Sequence, residues 1–591
     1  MKYTYLVALA ALLVISACDS KQPPTAVAVA PADETTAGHA VADAIPVYDA
    51  RTFFMTTSYS AADSSGHAFS ADGQRVLLSS DETGVFNALA FDLDTGASGA
   101  LTESTTNAVF AVSYFPADDR VLFTSDGGGD ELNHLFVREA DGSQHDLTPG
   151  ESVKAGFMNW SADGGHFYVE TTERDGKNFD LYRYEAAEYS RELVFQNDSG
   201  WQLSALSPDS QWLALDKPRT SADSDIYVQK LGTAQEPAHV TPHQGNVSHG
   251  VLTFTPDSKS LYYGTDEFSE FYQAWVYDLE SGERSLVYED DWDVQFVSFS
   301  STGKFRVIGV NVDALTVIHL NDTQSGEALN LPELPKGDIQ NIRFSNDDTR
   351  MAFFLNSDTQ PNDLFVADLG AGEVRQYTQA LNKEINPEHL VASEVIRYPS
   401  FDDLEIPSIL YKPKTASAEN KVPALVLVHG GPGGQTRQGY QAMVQHLVNH
   451  GYAVLGANNR GSSGYGKTFY HLDDRRHGEE DLLDIVWGKK YLESLDWVDA
   501  ERIGIIGGSY GGYMTAAALT FHPEVFDAGI DIFGVTNWER TLSSIPPWWE
   551  SFKESLYDEM GDPATDSERH HTISPWFHAQ NIVRPLLVIQ G

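Results

Sequence analysis

The chain has 591 residues, of which 41% are hydrophobic, a length and composition typical of a globular protein with more than one core. Its net charge of −46 repels phosphate backbones, so we exclude nucleic-acid binding. The single cysteine, Cys18, excludes an internal disulfide and a cysteine-based metal site. The sequence predicts neither a cofactor nor a metal.

The first 18 residues have the pattern of a signal peptide. Lys2 precedes an apolar run over residues 6–15, which is shorter than the roughly 20 residues of a spanning helix. The run ends at Cys18 in a sequence that resembles a bacterial lipobox, in which the cysteine carries the lipid. We therefore expect an exported lipoprotein that faces the periplasm and touches the membrane only through this anchor. Asp19 favours retention in the inner membrane, and an ordinary cleaved signal peptide is the alternative.

Residues 19–47 contain no aromatic residue and are rich in Ala, Pro and Thr, which predicts a flexible tether. A repeat then fills residues 48–380. In each copy an aromatic residue or leucine is followed by Ser, Thr or Pro, by a turn rich in Asp and Gly, and by a short apolar strand. The copies begin at Phe69, Phe115, Trp160, Leu206, Phe254, Phe299 and Phe344. Seven copies, 45–48 residues apart, predict a seven-bladed β-propeller whose aspartates form turns rather than bind metal.

From residue 385 to residue 591 the pattern changes to buried strands that alternate with helices. Strands are predicted over 422–428, 452–456, 502–506, 527–533 and 585–590, with helices over 440–449 and 482–495. Such alternation is typical of a parallel sheet covered by helices on both sides. The sequence therefore predicts a propeller followed by an α/β domain.

Ser509 lies in the motif Gly-Gly-Ser-Tyr-Gly, between a predicted strand and a helix-compatible run over 512–519. This is the setting of a nucleophile elbow, in which small residues let the backbone bend sharply under the serine. An upstream strand ends in a glycine-rich loop over 429–434. The backbone N–H groups of Tyr510 and Gly431 are the predicted oxyanion donors. We expect His429 to shape this loop rather than to act as a base, and the absence of a Gly-Lys-Ser/Thr motif argues against a phosphate cradle.

The segments 429–433, 459–466 and 507–514 resemble those of the prolyl oligopeptidase family, which also places a seven-bladed propeller before its hydrolase domain. The resemblance spans roughly residues 50–591. It implies an α/β-hydrolase fold and a serine peptidase that cleaves short peptides through an acyl-enzyme on Ser509, with the propeller limiting access. The His-Gly-Gly-Pro run most resembles the acylaminoacyl-peptidase branch.

The same resemblance implies that Tyr510, Val535 and Trp538 line the pocket for the side chain before the scissile bond, although core packing is an alternative for Trp538. It also implies that the triad aspartate and histidine follow the strand over 585–590, beyond Gly591. The histidines after Ser509 precede that strand, and we interpret them as surface or loop residues: His522, His570, His571 and His578.

We therefore favour a peptidase whose 591-residue sequence stops before its base, and which is inactive in that form. A peptide-binding protein without catalysis and a small-molecule esterase are the alternatives. The preferred residue at the cleavage site, exo- or endopeptidase action, and the oligomeric state stay open.

Overall fold

The computed structural model describes residues 45–329, 331–332 and 334–590. The predicted signal peptide, Cys18 and most of the predicted tether lie outside the described residues. Within the described residues, no helix combines the length and apolar character that a membrane span requires.

Seven antiparallel sheets form the propeller, and this confirms the predicted number of blades. The first three blades contain β1 (Tyr59–Ala61), β2 (Arg75–Ser80), β3 (Asn87–Asp92), β4 (Ser98–Ala100), β5 (Val109–Tyr114), β6 (Val121–Ser125), β7 (His134–Arg138), β8 (Gln144–Asp146), β9 (Ala155–Trp160), β10 (His166–Thr171), β11 (Asp180–Glu185) and β12 (Arg191–Phe195). The next two contain β13 (Gln202–Leu206), β14 (Trp212–Thr220), β15 (Asp223–Lys230), β16 (Ala238–His239), β17 (His249–Phe254), β18 (Ser260–Thr265), β19 (Gln273–Asp278) and β20 (Arg284–Tyr288). The last two contain β21 (Asp293–Phe299), β22 (Phe305–Val312), β23 (Leu315–Asp322), β24 (Asp338–Phe344), β25 (Arg350–Ser357), β26 (Gln360–Asp368) and β27 (Glu373–Gln376).

The repeated aspartates close the hairpins between the first and second strands of the blades. Asp72 accepts a hydrogen bond from the Ser70 hydroxyl at 2.6 Å and another from the backbone N–H of Gln74 at 3.0 Å. The same hydroxyl-to-carboxylate contact, at 2.6–2.7 Å, recurs at Asp163, Asp209, Asp257 and Asp347. These contacts confirm that the aspartates serve the turns.

Aromatic residues of the repeat fill the spaces between blades. The rings of Phe115 and Trp160 meet edge to face at 4.9 Å, and the Trp160 indole donates to Ser113 at 2.8 Å. Between the last and first blades, Arg350 donates to the carbonyl of Gly73 at 2.6 Å. The ring of blades is thus closed by side chains rather than by a shared strand.

The second domain is built on a seven-stranded sheet in the order β28-β29-β31-β30-β32-β33-β34. Its strands are β28 (Glu394–Pro399), β29 (Glu405–Tyr411), β30 (Val422–Val428), β31 (Ala453–Ala457), β32 (Val498–Gly508), β33 (Gly529–Ile532) and β34 (Leu586–Ile589). The α-helices of the described residues are α1 (Ala50–Phe54), α2 (Ala442–Asn449), α3 (Lys467–Tyr470), α4 (Glu480–Ser494), α5 (Tyr510–Phe521), α6 (Trp538–Ser543), α7 (Glu550–Met560) and α8 (Ser567–Ile573).

The five predicted strands pair in parallel, and the sequence analysis missed two further strands at one edge. β28 and β29 form an antiparallel hairpin, and β29 pairs antiparallel with β31. The outer strand β28 has Tyr398 as its one buried residue, so it lacks the continuous apolar run of the parallel strands, whereas β29 is buried from Ile406 to Tyr411. The parallel strands bring the carboxyl ends of β30 and β32 side by side, with Val428 opposite Gly507.

Residues before the first blade pack on the second domain rather than on the propeller. The backbone N–H of Tyr48 donates to Asn449 at 2.8 Å, and its carbonyl oxygen lies 2.8 Å from a ring nitrogen of His450. The ring of Phe53, on α1, meets His446 edge to face at 5.7 Å. We call residues 45–56 the N-terminal strap. The predicted propeller boundary at residue 48 therefore includes a segment that lies on the hydrolase domain.

Candidate active site

Ser509 stands on a sharp turn between the end of β32 and the start of α5. Its φ of 56° and ψ of −119° lie in a region that side-chain-bearing residues rarely adopt. Two backbone hydrogen bonds hold the turn. The Ser509 N–H donates to the Ile532 carbonyl at 3.0 Å, and the Tyr513 N–H donates to the Ser509 carbonyl at 3.0 Å. This is the strand–turn–helix arrangement predicted for the motif.

The neighbouring glycines are required by close backbone approach. A Cβ on Gly507 would lie 2.3 Å from the carbonyl oxygen of Gly511, and one on Gly511 would lie 2.1 Å from that of Val428. Both distances are far below van der Waals contact, so only glycine lets β32, α5 and β30 meet this closely.

The glycine-rich loop after β30 lies beside the serine. A Cβ on Gly430 would lie 3.4 Å from the Cβ of Ser509 and 3.8 Å from its Oγ. Gly431 follows with a φ of 136°, in the region that favours glycine. The two predicted oxyanion donors, the N–H groups of Tyr510 and Gly431, thus belong to residues that flank or adjoin the serine. Their role stays a prediction.

His429 shapes this loop, as expected. Its Nδ1 lies 2.9 Å from the carbonyl oxygen of Gly430, and its Nε2 lies 2.8 Å from the Ser462 hydroxyl. Burial lowers the pKa of His429, so a neutral ring donates from Nδ1 to the carbonyl. The Gly430 carbonyl and the Ser462 hydroxyl occupy the two ring nitrogens of His429, which leaves neither nitrogen for Ser509.

The three predicted pocket residues lie in or against the hydrophobic core. Tyr510 is 2% exposed and Trp538 is 6% exposed, while Val535 is half-buried against the same core. The Trp538 ring meets Tyr513 edge to face at 5.1 Å. Trp538 therefore packs in the core, as the alternative interpretation expected, and the pocket role of the three side chains stays a prediction.

Within the described part of the chain, the Ser509 hydroxyl makes no hydrogen bond to a histidine. His578 lies 3.1 Å from the carbonyl of His571, and His522 is half-buried. The interpretation of the later histidines as surface or loop residues is wrong for His570, which is fully buried on α8 and lies 3.0 Å from the carbonyl of Met560.

A cluster missed by the sequence analysis lies directly behind the elbow. The Tyr510 hydroxyl donates to Asp481 at 2.5 Å and lies 2.9 Å from Nδ1 of His477. Burial raises the pKa of Asp473 to about 8. Burial lowers the pKa of His477, but Glu559 and Asp473 outweigh it and raise the value to about 9. The spacing Asp-x3-His-x3-Asp is the feature of the sequence that indicates this cluster, and it is hard to distinguish among the many acidic residues of the chain.

The hydrolase domain is fastened to the propeller through Asp358, which is 7% exposed. One carboxylate oxygen accepts from the Tyr411 hydroxyl at 2.7 Å and from the Gly439 N–H at 3.0 Å. The other accepts from the N–H and hydroxyl of Ser393 at 2.8 and 2.6 Å. A single buried carboxylate therefore joins the last blade, the linker and the hydrolase domain.

Two further contacts lie on other blades. Glu270 accepts from the N–H and hydroxyl of Thr468 at 2.7 and 2.8 Å. Lys154 lies 5.5 Å from the ring centre of Trp548. The propeller therefore contacts the hydrolase domain from several blades around its face.

A serine on a strand–turn–helix elbow, beside a glycine-rich loop at the carboxyl end of a mixed sheet, defines a serine hydrolase of the α/β-hydrolase class. The propeller joined to the hydrolase domain further restricts the families of α/β-hydrolases that this chain can match.

Comparison with known proteins agrees with this architecture. Residues 438–591 match the model of the prolyl oligopeptidase family, and residues 90–380 match its N-terminal beta-propeller domain. Dipeptidyl aminopeptidase BIII of Pseudoxanthomonas mexicana is 30% identical over 88% of this chain and 78% of its own length. Acylamino-acid-releasing enzyme of Arabidopsis thaliana is 27% identical over 31% of this chain and 25% of its own.

Among solved structures, a puromycin-hydrolyzing peptidase of Mycobacterium tuberculosis has the same fold, with a TM-score of 0.77 at 18% identity over 92% of this chain and 87% of its own. The chain belongs to the prolyl oligopeptidase family, and it is a serine peptidase that acts on peptides.

Proposed function

We propose that this peptidase hydrolyses short peptides through an acyl-enzyme on Ser509. The observation that carries the proposal is the elbow itself, which holds the serine at the carboxyl end of the sheet with Gly430 beside it. The Ser509 oxygen attacks the carbonyl carbon of the scissile bond, and its proton passes to a base and then to the leaving amine. Water then cleaves the ester and frees the serine.

The N–H groups of Tyr510 and Gly431 are proposed to bind the oxygen that becomes negative during attack. Such donors act in the transition state, and loss of one typically costs about 3–4 kcal/mol of its stabilisation. The Tyr510 N–H is at the first residue of α5, where backbone donors are free of intrahelical partners. The positive end of the helix also favours negative charge there.

The propeller is proposed to restrict entry to short peptides. Contacts from several blades, among them Glu270 with Thr468 and Lys154 with Trp548, support this because they hold the hydrolase domain against the propeller face. A long folded substrate then meets a closed rim. Comparing cleavage of a hexapeptide with cleavage of the same sequence inside a folded protein tests the restriction, and equal rates would refute it.

Two substrate classes remain within the family. The likeness to acylamino-acid-releasing enzymes suggests peptides with a blocked N-terminus, and the likeness to a dipeptidyl aminopeptidase suggests peptides with a free one. The experiment uses the protein as it is expressed from its own gene. Acetyl-amino-acid anilides, dipeptidyl anilides and a simple ester of the same side chain are compared.

We expect amide hydrolysis that is lost in Ser509→Ala and kept in Ser494→Ala, an exposed serine at the end of α4. The alternatives predict different results. Peptide binding without turnover indicates a binding protein, and ester hydrolysis without amide hydrolysis indicates an esterase.

Within the described residues, no histidine is hydrogen-bonded to the Ser509 hydroxyl. We propose that a polypeptide of residues 1–591 in which Ser509 has no base hydrolyses peptides about a million-fold more slowly than an enzyme of this family with a complete triad, because nucleophile and base act as a unit. Rapid labelling of Ser509 in that polypeptide by a fluorophosphonate contradicts this proposal.

We propose that the protein is exported and anchored to the inner membrane through a lipid on Cys18, with the folded domains in the periplasm. Lys2, the apolar run over 6–15 and the residues around Cys18 support the proposal. Palmitate labelling and membrane fractionation of wild type and Cys18→Ala test it. Membrane retention of the variant would contradict it.

A further inference from the structure

Behind the nucleophile elbow, three metal-ligating side chains converge at intervals of four residues. Asp473 ends the short 3-10 helix over 471–473, His477 lies in the following loop, and Asp481 is in the first turn of α4. Their ligating atoms all lie within 4.8 Å of one another. The three residues are 2%, 0% and 0% exposed, respectively, so this is a buried cluster and not a solvated acidic surface.

Two atoms of this cluster have unmet hydrogen-bonding capacity. Within the described ranges, Oδ2 of Asp473 and Nε2 of His477 are buried and make no hydrogen bond. Asp473 Oδ2 lies 3.4 Å from His477 Nδ1, and His477 Nε2 lies 3.4 Å from Glu559. Buried polar atoms of native proteins are nearly always partnered, so the free Asp473 Oδ2, which faces Nδ1 of His477, calls for a ligand, whereas Nε2 faces Glu559.

The local charge also calls for a cation. Asp473 and Glu559 each lie 3.4 Å from His477, and the ligating atoms of Asp481 and His477 lie within 4.8 Å of each other, so three carboxylates face one imidazole. Two arginines lie nearby, and neither is ion-paired with these three carboxylates. Arg475 pairs with Asp566 at 3.2 Å, and Arg569 donates through Nη1 to the carbonyl of Met560 at 2.7 Å, while its buried Nη2 makes no hydrogen bond within the described residues.

We propose that Asp473, His477 and Asp481 bind a divalent transition-metal cation of the zinc and manganese type. Asp473 Oδ2, His477 Nδ1 and Asp481 Oδ2 are the ligating atoms, and the Tyr510 hydroxyl supplies a neutral oxygen beside them. An imidazole in the set disfavours magnesium and calcium, which take oxygen ligands.

Glu559 supports the same assignment from the far side of the imidazole. A ligating histidine usually donates its other ring N–H to a carboxylate, which fixes the tautomer. Here a proton on Nε2 faces Glu559 at 3.4 Å, and Nδ1, which lies 2.9 Å from the Tyr510 hydroxyl, would lose its proton to bind the cation. The site is structural, because Tyr510 and its neighbours enclose it. It ties the loop before α4 to the residue that follows Ser509.

The test uses untagged protein purified without chelator, and it measures metal content by plasma mass spectrometry. We expect close to one equivalent of zinc or manganese per chain. After removal with a chelator, added Zn²⁺ or Mn²⁺ should raise the melting temperature by about 5 °C or more at saturating metal, and Mg²⁺ should not.

Asp473→Asn and His477→Gln should each abolish stoichiometric binding. The matched controls are Asp474→Asn and His471→Gln. These two residues lie in the same segment, their side chains are partly exposed, and Nδ1 of His471 lies 3.0 Å from the Asp474 carboxylate. Controls that lose the metal, with the two cluster variants keeping it, refute the site. If a cluster variant does not fold, the wild-type metal content still decides.

Less than a tenth of an equivalent of metal in the wild-type protein, with no metal-dependent change in melting temperature, overturns the proposal. The cluster is then a network held by a protonated His477 alone. These readouts do not depend on peptide hydrolysis, so their failure is distinguishable from failure of the proposed peptidase activity.

Discussion

Replacing Gly511 by alanine should disrupt the nucleophile elbow more than replacing Gly508, although both glycines flank Ser509 within the same turn. A Cβ on Gly511 would lie 2.1 Å from the carbonyl oxygen of Val428 and 2.9 Å from that of His429. These are backbone atoms at the end of β30, so they cannot rotate away. Relief requires α5 or β30 to move by about 1 Å, since ordinary contact begins near 3.4 Å.

Overpacking in a tight core costs about 1–3 kcal/mol, and we place Gly511→Ala at the upper end, about 3 kcal/mol, because both neighbours are backbone. For a domain of about 200 residues this corresponds to a loss of about 6–12 °C in melting temperature. In Gly508→Ala the nearest atom belongs to the Phe533 ring at 3.5 Å, an ordinary contact. That variant should lose less than about 1 kcal/mol.

Urea denaturation and calorimetry of the two variants measure the difference, and fluorophosphonate labelling reports on the serine. Equal losses of stability in the two variants would refute the argument from close backbone approach. Equal labelling would separately show that the position of β30 does not matter for access to Ser509.

Arg460→Met should lower the free energy of unfolding by about 3–5 kcal/mol, because it leaves the buried carboxylate of Asp484 without its ion-pair partner. Arg502→Met removes an exposed ion pair and should cost less than about 1 kcal/mol. Similar urea midpoints for the two variants would contradict this. Asp358→Asn should cost about 2 kcal/mol and speed proteolysis of the interdomain linker, since charge-assisted bonds are lost; an unchanged cleavage rate would count against the anchor. A turn serine and backbone N–H hold the pKa of Asp72 below its ordinary value, so its contribution to stability is present above pH about 4 and is lost as the pH falls below that. Urea melts from pH 5 to 2.5 should show this decline, with a smaller slope in Asp72→Asn, and an identical slope would exclude the contribution.

The propeller could be predicted from sequence because each blade repeats the same local chemistry. A hydroxyl, an aspartate and a glycine fix the hairpin, and the preceding aromatic residue fixes the blade interface. The elbow around Ser509 could be predicted for a similar reason, since close approach leaves glycine as the one tolerated residue at several positions. In both cases the signal is local in sequence.

The missed features depend on contacts between distant segments. Nothing local in β28 and β29 specifies antiparallel pairing with β31, and nothing near Tyr48 indicates that it bonds to Asn449. The cluster around His477 has a regular spacing, but its burial is created by α5 and by Glu559 on α7. Its chemistry therefore becomes visible only once the chain is folded.

The N-terminal strap has a consequence for the order of folding, because an exported chain, like one that leaves the ribosome, emerges N-terminus first. Chains emerge N-terminus first, and domains generally fold as they appear. The strap emerges before the blades, yet Asn449 and His450, which hold it, emerge 401 and 402 residues after Tyr48. The propeller must therefore close while its leading segment is still unpaired. The strap therefore binds to the helix over 442–449 in one of the last steps of folding, after that helix has formed.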